Sequence, residues 1–225
     1  KQAAEKLGEI GTPPAAKRLV EMLADHDKLV KWTAIRSLGN VRDYKPAVTA
    51  LYDLAKNFQE ASENRKEAVI ALGSIGTAKE AGGMIDILKD NRNDEELRSE
   101  AARAVGRIGG GDVSPSLIPF LDDPSDLVRQ DVAGALGMFG YPAAAEKLLH
   151  LLKNDPERKV REICAESLGR IRMKASLVVP EMIELLQDQK MDSRLRQKIK
   201  ESLKSLSSGN ISEELRAKAI KCVKE

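Results

Sequence analysis

The sequence predicts an all-α fold, a right-handed α-solenoid (superhelix) of about six helix pairs within residues 1–225. Three observations predict it: a glycine-containing motif that recurs along the chain, a basic residue that recurs in register with this motif, and a composition poor in aromatic side chains. Hydrophobic residues form 42% of the chain and aromatic residues only 3%, so Ala, Leu, Ile and Val must fill the core, as they do between stacked helices.

The recurring motif is an apolar residue, a glycine, any residue and a second apolar residue. Its central position falls at Gly8, Gly39, Gly73, Gly106, Gly137 and Gly169, and then at Lys204. Successive central positions are 31 to 35 residues apart. Glycine at this position lets neighbouring helices approach closely, and a glycine three residues later suits a left-handed helix end. The motif therefore marks the second helix of each pair.

A basic residue stands eight residues before each later central position, at Lys31, Arg65, Arg98, Arg129, Arg161 and Arg196. Because a residue present in every unit serves the unit, we expect hydrogen bonds or ion pairs between repeats. A ladder that binds a ligand is the alternative. Acidic or polar residues ahead of this ladder are candidate caps for the second helices, namely Asp27, Asp94, Ser125 or Asp126, Glu157 and Asp192.

First helices occupy the intervals between the motifs, and several begin at prolines, which the first turn of a helix tolerates. We predict one repeat domain over residues 1–225, with the second helix of an incomplete repeat at 1–11, repeats at 12–42, 43–76, 77–109, 110–140, 141–172 and 173–207, and a capping helix at 208–225. Lys200 and Lys204 replace small or apolar residues in the last repeat, which favours a C-terminal cap. The incomplete first repeat leads us to expect residues before Lys1 in the parent protein.

Two glycine-rich segments have other interpretations. Gly109-Gly110-Gly111 lacks the strand and the Gly-Lys-Ser/Thr sequence of a phosphate-binding loop, so we interpret it as a linker between helices. Gly82-Gly83 falls inside a predicted first helix and weakens it, by about 1 kcal/mol per glycine relative to alanine. A bend between two halves of the solenoid is predicted there.

The motif resembles a known repeat family. The Leu-Gly-x-Ile-Gly endings, the Val-Arg pairs at Val128-Arg129 and Val160-Arg161, and the period of 31 to 35 residues resemble the HEAT-like repeats named after phycobilisome lyases. The resemblance covers nearly the whole chain and implies an armadillo-like helical solenoid. It is less specific for function, because such repeats occur in chromophore lyases, assembly factors and many scaffolds.

The common register of the repeats predicts which side of each second helix faces a partner. Positions seven, six and three before the central residue, and one after it, lie opposite the core face and are expected to line a concave surface. Aromatic, Met and Arg side chains are typical of binding hot spots. The predicted partner-binding residues are Trp32, Arg36, Ile70, Arg103, Arg107, Met138, Ile163, Glu166 and Arg170. For Trp32 the alternative is packing against the first helix of its own repeat.

The sequence predicts no catalytic residue, no cofactor site and no metal site. His26 and His150 have no neighbours at metal-ligand spacing, Cys164 falls at a core position, and Cys222 lacks a partner base. No apolar run is long enough to span a membrane. The leading interpretation is a noncatalytic protein–protein interaction scaffold that is not an enzyme and binds another protein along the concave face.

Two other functions stay open. The resemblance implies a bilin lyase or a chaperone-like subunit of the phycobilisome-lyase type. Residues 190–225 carry ten Lys or Arg against five Asp or Glu, so nucleic-acid binding through this basic end is the second alternative. The net charge of the whole chain is only +2, which does not favour nucleic acid over its full length.

Overall fold

The computed structural model describes residues 1–109, 111–209 and 211–224. Within these ranges every regular element is helical, and none is a strand. Contacts divide the chain into two compact units, Lys1–Gly110 and Gly111–Glu225, hereafter unit 1 and unit 2. The predicted Gly109–Gly111 linker falls where the units meet in sequence, and its middle residue, Gly110, lies outside the described residues.

Unit 1 contains seven α-helices that form stacked pairs. The second helices pack in chain order, α1 on α3, α3 on α5 and α5 on α7, while the first helices α2, α4 and α6 each pack on the second helix that follows. A 3-10 turn, Met22–Ala24, extends α2. The bounds are α1 (Gln2–Ile10), α2 (Pro13–Glu21), α3 (Lys28–Leu38), α4 (Lys45–Lys56), α5 (Ser62–Ile75), α6 (Ala78–Lys89) and α7 (Glu95–Ile108).

Unit 2 repeats this arrangement with α9, α11 and α13 as its second helices. Its first repeat has a short first helix, α8, which continues as the 3-10 turn Ile118–Asp122. Further 3-10 turns, Pro142–Ala144 and Arg172–Lys174, precede α10 and α12, and α14 packs on both α12 and α13. The bounds are α8 (Ser114–Leu117), α9 (Asp126–Phe139), α10 (Ala145–Asn154), α11 (Arg158–Arg170), α12 (Ala175–Leu185), α13 (Ser193–Leu206) and α14 (Glu213–Lys224).

The central glycines allow the second helices to pack closely. A β-carbon added at Gly169 would lie 2.8 Å from the β-carbon of Ser202 on α13, too close for any side chain. The same crowding would occur between Gly8 and Ser37, at 2.7 Å. Ser202 also donates its hydroxyl to the carbonyl oxygen of Ala165, at 2.8 Å. A glycine facing a small residue of the next repeat therefore sets the spacing of the stack.

Gly82-Gly83 does not lie between two halves of the chain, contrary to the prediction. Helix α6 continues unbroken through both glycines, and both lie inside unit 1. Gly83 has a packing role instead, because a β-carbon there would lie 2.6 Å from a ring carbon of Tyr52 on α4. Gly82 has no such neighbour, since nothing approaches within 4 Å of its added β-carbon.

The basic ladder makes the predicted contacts between repeats, and it also makes contacts within a repeat, which the sequence did not predict. Arg65 donates to the carbonyl oxygen of Ala55 at 2.9 Å, and Arg196 donates to that of Leu186 at 2.8 Å, so each holds the end of the first helix in its own repeat. Lys31 reaches the next repeat, where it pairs with Glu60 at 3.0 Å. These side chains join helices within a repeat and also join successive repeats.

Candidate partner-binding faces

The predicted residues fall into two sets, one in each unit. Face 1 is defined by Trp32, Arg36, Ile70, Arg103 and Arg107 of unit 1, and face 2 by Met138, Ile163, Glu166 and Arg170 of unit 2. All of them lie on second helices: α3, α5 and α7 for face 1, and α9 and α11 for face 2.

Trp32 and Arg36 form an aromatic and cationic pair on α3, at one end of face 1. One helical turn separates them on α3, and the guanidinium carbon of Arg36 lies 5.4 Å from the centroid of the indole ring. This is a cation–π contact. Trp32 is half-buried and Arg36 is exposed, so the pair presents an aromatic surface and a positive charge to solvent together.

On α7, one carboxylate holds two predicted partner-binding arginines. Arg103 donates to Glu100 at 2.8 Å and Arg107 donates to it at 2.6 Å. Glu100 itself is only 6% exposed, so its assignment to the groove surface by the helical period is wrong. Its role is to hold the two guanidinium groups in place, and these, unlike the carboxylate, are exposed.

Two residues of α5 complete face 1. Ile70 is half-buried, as expected for an apolar side chain at the edge of a groove. Glu67 is also half-buried. It was not among the predicted partner-binding residues, although it stands six residues before Gly73, at one of the positions predicted to line the concave surface. Burial raises the pKa of the Glu67 carboxyl, Arg36 opposes the increase, and the negative charge of Glu100 adds to it.

Face 2 contains one strongly exposed apolar residue. Met138 on α9 is 56% exposed, whereas Ile163 on α11 is half-buried and turned towards α9, 3.8 Å from the position of a β-carbon added at Gly134. Arg170 and Glu166 pair with each other at 2.6 Å, and Lys198 of α13 reaches Glu166 at 3.7 Å. Face 2 is therefore more acidic and less aromatic than face 1.

The metal-ligating residue types and the buried cysteine of the described residues have the following arrangements. No group of three or more His, Cys, Asp or Glu side chains among them has the arrangement of a metal site. Cys164 is fully buried, and this burial raises the pKa of its thiol far above the usual range, so it is not a nucleophile at neutral pH. Among the same residues, no helix has the length and apolar character that crossing a membrane requires.

Helix pairs stacked through their second helices define the class of α-solenoid repeat proteins. The HEAT repeats family matches residues 1–61, 17–95 and 83–169, and these matches together extend from residue 1 to residue 169. The chain belongs to the HEAT repeat family. No curated protein sequence matches it.

The following are two of the solved structures whose fold is similar. The complex of CpcE and CpcF of phycocyanin lyase from Nostoc sp. PCC7120 matches with a TM-score of 0.61 and 20% identity, covering 94% of this chain and 86% of that chain. The Escherichia coli protein YibA matches with a TM-score of 0.61 and 18% identity, covering 93% of this chain and 92% of that one. These similarities confirm the all-α solenoid fold class and agree with the resemblance to phycobilisome-lyase-type repeats.

Proposed function

We propose that this protein is a noncatalytic scaffold that binds a partner protein on the exposed side of its second helices. The observation that carries the proposal is the Trp32–Arg36 pair of face 1, with Ile70 on the neighbouring helix. Trp and Arg are the residue types that dominate the energy of protein interfaces. A stacked guanidinium is already oriented, so less side-chain entropy is lost when it binds.

The charges of face 1 favour a partner segment that carries both a carboxylate and an apolar side chain. Arg36 has no carboxylate within ion-pair distance among the residues described, so its donors are available to a ligand. Arg107 is held by Glu100 but keeps 32% of its side chain exposed. An acidic residue would bind these guanidinium groups while an apolar neighbour covered Trp32 and Ile70.

The test compares capture of a native partner by the wild-type protein with capture by the triple variant Trp32→Ala, Ile70→Ala, Met138→Ala. We expect the triple variant to lose capture while its helical circular dichroism stays unchanged. The matched control is Met173→Ala, because Met173 is 82% exposed but belongs to neither face. Undiminished capture by the triple variant would contradict the proposal.

Trp32 offers an independent measurement, because it is the only tryptophan of the sequence. A partner that covers face 1 should shift the emission of Trp32 and reduce its quenching by acrylamide. Emission and quenching that stay constant when a partner binds would exclude face 1 as the binding surface, and would leave face 2 to be tested with Met138→Ala alone.

A bilin-lyase or chaperone-like role is the second candidate. The fold similarity to the phycocyanin lyase complex supports it. Mixing the protein with a bilin and its apoprotein would test it, because attachment or binding changes the absorbance of the bilin. A change that depends on this protein would favour the lyase role over a noncatalytic scaffold, and an unchanged spectrum would count against it.

Nucleic-acid binding through residues 190–225 is the third candidate, and several basic side chains there already have partners. Arg196 donates to backbone carbonyl oxygens, Lys198 pairs with Glu166 and Glu201, and Lys218 pairs with Glu214 at 2.6 Å. DNA retention that falls steeply with salt would support this role. Failure to retain DNA at low salt would dismiss it.

A further inference from the structure

A cavity of about 240 Å³ lies between the loop after α4 and the loop after α6 in unit 1. It is separate from face 1, and its lining is rich in cationic side chains. The residues that matter for its chemistry are Lys56, Phe58, Arg65, Asp90, Arg92 and Asn93.

Arg65, a member of the basic ladder, lines this cavity without an anionic partner. Its side chain is nearly buried, with the residue 6% exposed, and it donates to the carbonyl oxygen of Ala55 and, at 2.6 Å, to the amide oxygen of Asn93. Within the described part of the chain, no carboxylate lies within ion-pair distance of Arg65. A buried guanidinium with only neutral acceptors is costly, because neutral groups compensate less for its lost hydration than a carboxylate does.

The loop after α4, in the preceding repeat, contains the carboxylate that Arg65 lacks in the loop after α6. In that loop the side chain of Asn57 accepts a hydrogen bond from the backbone amide of Gln59. Three residues after Asn57 stands Glu60, which pairs with the ladder residue Lys31 at 3.0 Å. Asn93 stands three residues after Asp90, which accepts from the amide of Arg92 in the same kind of turn. A neutral amide therefore occupies the position at which the neighbouring repeat supplies a carboxylate.

The nearby aspartates do not take over this role. Both carboxylate oxygens of Asp90 accept from the side chain of Arg92, at 2.9 and 2.6 Å. Asp94 accepts from the hydroxyl of Ser62 and from the backbone amide of Leu97, each at 2.7 Å. The charges of both carboxylates act on Arg65, but their oxygens are held by these other donors and neither forms an ion pair with it.

Like charges also meet at the cavity. The guanidinium carbons of Arg65 and Arg92 lie 4.3 and 4.4 Å from the centroid of the Phe58 ring, and Lys56 contributes a third cation to the lining. Against these three cations the lining carries the carboxylates of Asp86 and Asp90, and the charge of Asp94, outside the lining, also acts on Arg65. Neither lining carboxylate forms an ion pair with Arg65.

We propose that the cavity binds a carboxylate, which completes the ion pair of Arg65 and lies within reach of Lys56 and Arg92. In two other repeats a carboxylate from the following loop binds the ladder residue, as Glu60 binds Lys31 and Asp155 binds Arg129. The ligand is either a free small carboxylate or the acidic side chain of a peptide. The proposal does not depend on the function of face 1.

Unit 2 contains a built-in comparison. A cavity of about 280 Å³ is lined by Arg129 and by Leu151, which corresponds to Ile87 of the first cavity. Asp155 lines this second cavity and binds Arg129 through both carboxylate oxygens. Since the protein's own carboxylate already pairs with the guanidinium there, the second cavity should not bind an added carboxylate.

The test uses NMR of the arginine Nε–H groups of the whole chain, titrated with sodium acetate or with N-acetyl-glutamate amide while sodium chloride keeps the ionic strength constant. The Arg65 signal should shift and saturate, whereas the Arg129 signal should not. Asn93→Asp supplies an internal carboxylate and should weaken acetate binding by about tenfold or more. Lys56→Ala removes an exposed cation and should weaken binding by about threefold.

A linear, unsaturated shift of the Arg65 signal, or an equal response of Arg129, would overturn the proposal, as would saturation by phosphate but not by either carboxylate. If Asn93→Asp unfolds, the proposal is tested by the weaker acetate binding expected of Lys56→Ala and by the different responses expected of the Arg65 and Arg129 signals. Equal affinity for the two probes would support a free small carboxylate. Tighter binding of N-acetyl-glutamate amide would support a peptide side chain.

Discussion

Arg129 and Asp155 form a two-pronged ion pair between successive repeats. The Nε and Nη2 atoms of Arg129 donate to Oδ2 and Oδ1 of Asp155 at 2.7 and 3.0 Å, and these hydrogen bonds raise the pKa of the guanidinium. Only 1% of the Asp155 side chain and 11% of the Arg129 side chain are exposed. Because Arg129 also donates to the carbonyl oxygen of Asp123 at 2.8 Å, it ties its own repeat to the next one.

Removing the carboxylate of this pair should strongly destabilise unit 2. We expect Asp155→Ala to lower the free energy of unfolding by about 3–5 kcal/mol, because it leaves a largely buried guanidinium without its counter-ion. Urea denaturation followed by circular dichroism measures the loss. The control is Lys6→Ala, which breaks an exposed pair with Glu9 and should change the free energy of unfolding very little, because solvent screens exposed ion pairs. Equal effects of both variants would contradict the prediction.

Gly169 is a central glycine that should not tolerate an added side chain. Gly169→Ala is expected to cost about 1–3 kcal/mol, since the new methyl group would overlap Ser202 and force α11 and α13 apart. Gly82→Ala is the matched control, because open space surrounds its added β-carbon. That variant should instead stabilise the protein by about 0.4–1 kcal/mol through a higher helix propensity and a less flexible unfolded chain. Denaturation midpoints should therefore fall for Gly169→Ala and rise for Gly82→Ala, relative to the wild type.

Glu67 should make stability depend on pH. Burial raises the pKa of the Glu67 carboxyl in the folded state above the ordinary value of about 4.3. The folded state therefore binds the proton more tightly than the unfolded state, and this stabilises the fold fully below that pH. The stabilisation is lost as the pH rises through the folded-state pKa. Glu67→Gln should therefore be more stable than the wild type at neutral pH. The advantage should disappear on acidification, as measured by denaturation at a series of pH values.

The charge of Arg36 should moderate the same group. Because Arg36 lowers the pKa of Glu67 against the effect of burial, Arg36→Ala should raise that pKa further in a carbon-13 NMR titration of the Glu67 carboxyl. Arg18→Ala is the control, since Arg18 pairs with Glu21 instead. A pKa that responds equally to both substitutions would exclude a local interaction between α3 and α5.

The two cysteines should react differently with thiol reagents. Cys164 is fully buried with a raised thiol pKa, whereas Cys222 on α14 is half-buried. A disulfide-exchange reagent should therefore modify at most one thiol per chain under native conditions, and two after denaturation. Rapid modification of Cys164 in the folded protein would show that unit 2 opens far more readily than its packing implies.

The periodic sequence predicted the fold because most repeats pack through the same kinds of contact, although Lys204 replaces the glycine in the last one. A glycine at Gly169 or Gly8 is required wherever two second helices touch, and a ladder residue such as Arg129 is required wherever a first helix ends beside the next repeat. Constraints of this kind recur at fixed spacing. The sequence therefore contains the glycine motif and the ladder residue several times, and their positions give the register of each second helix.

Only the tertiary structure decided the contacts that occur once. The helical period placed Glu100 on the groove, but its carboxylate is buried because Arg103 and Arg107 both bind it. The period likewise carries no information that Gly83 makes room for Tyr52, or that Asn93 faces Arg65 without a carboxylate. Such contacts join side chains that are distant in sequence, and their free energies depend on the distance between the side chains and on their burial in the folded chain. The spacing of residues in the sequence specifies neither this distance nor this burial.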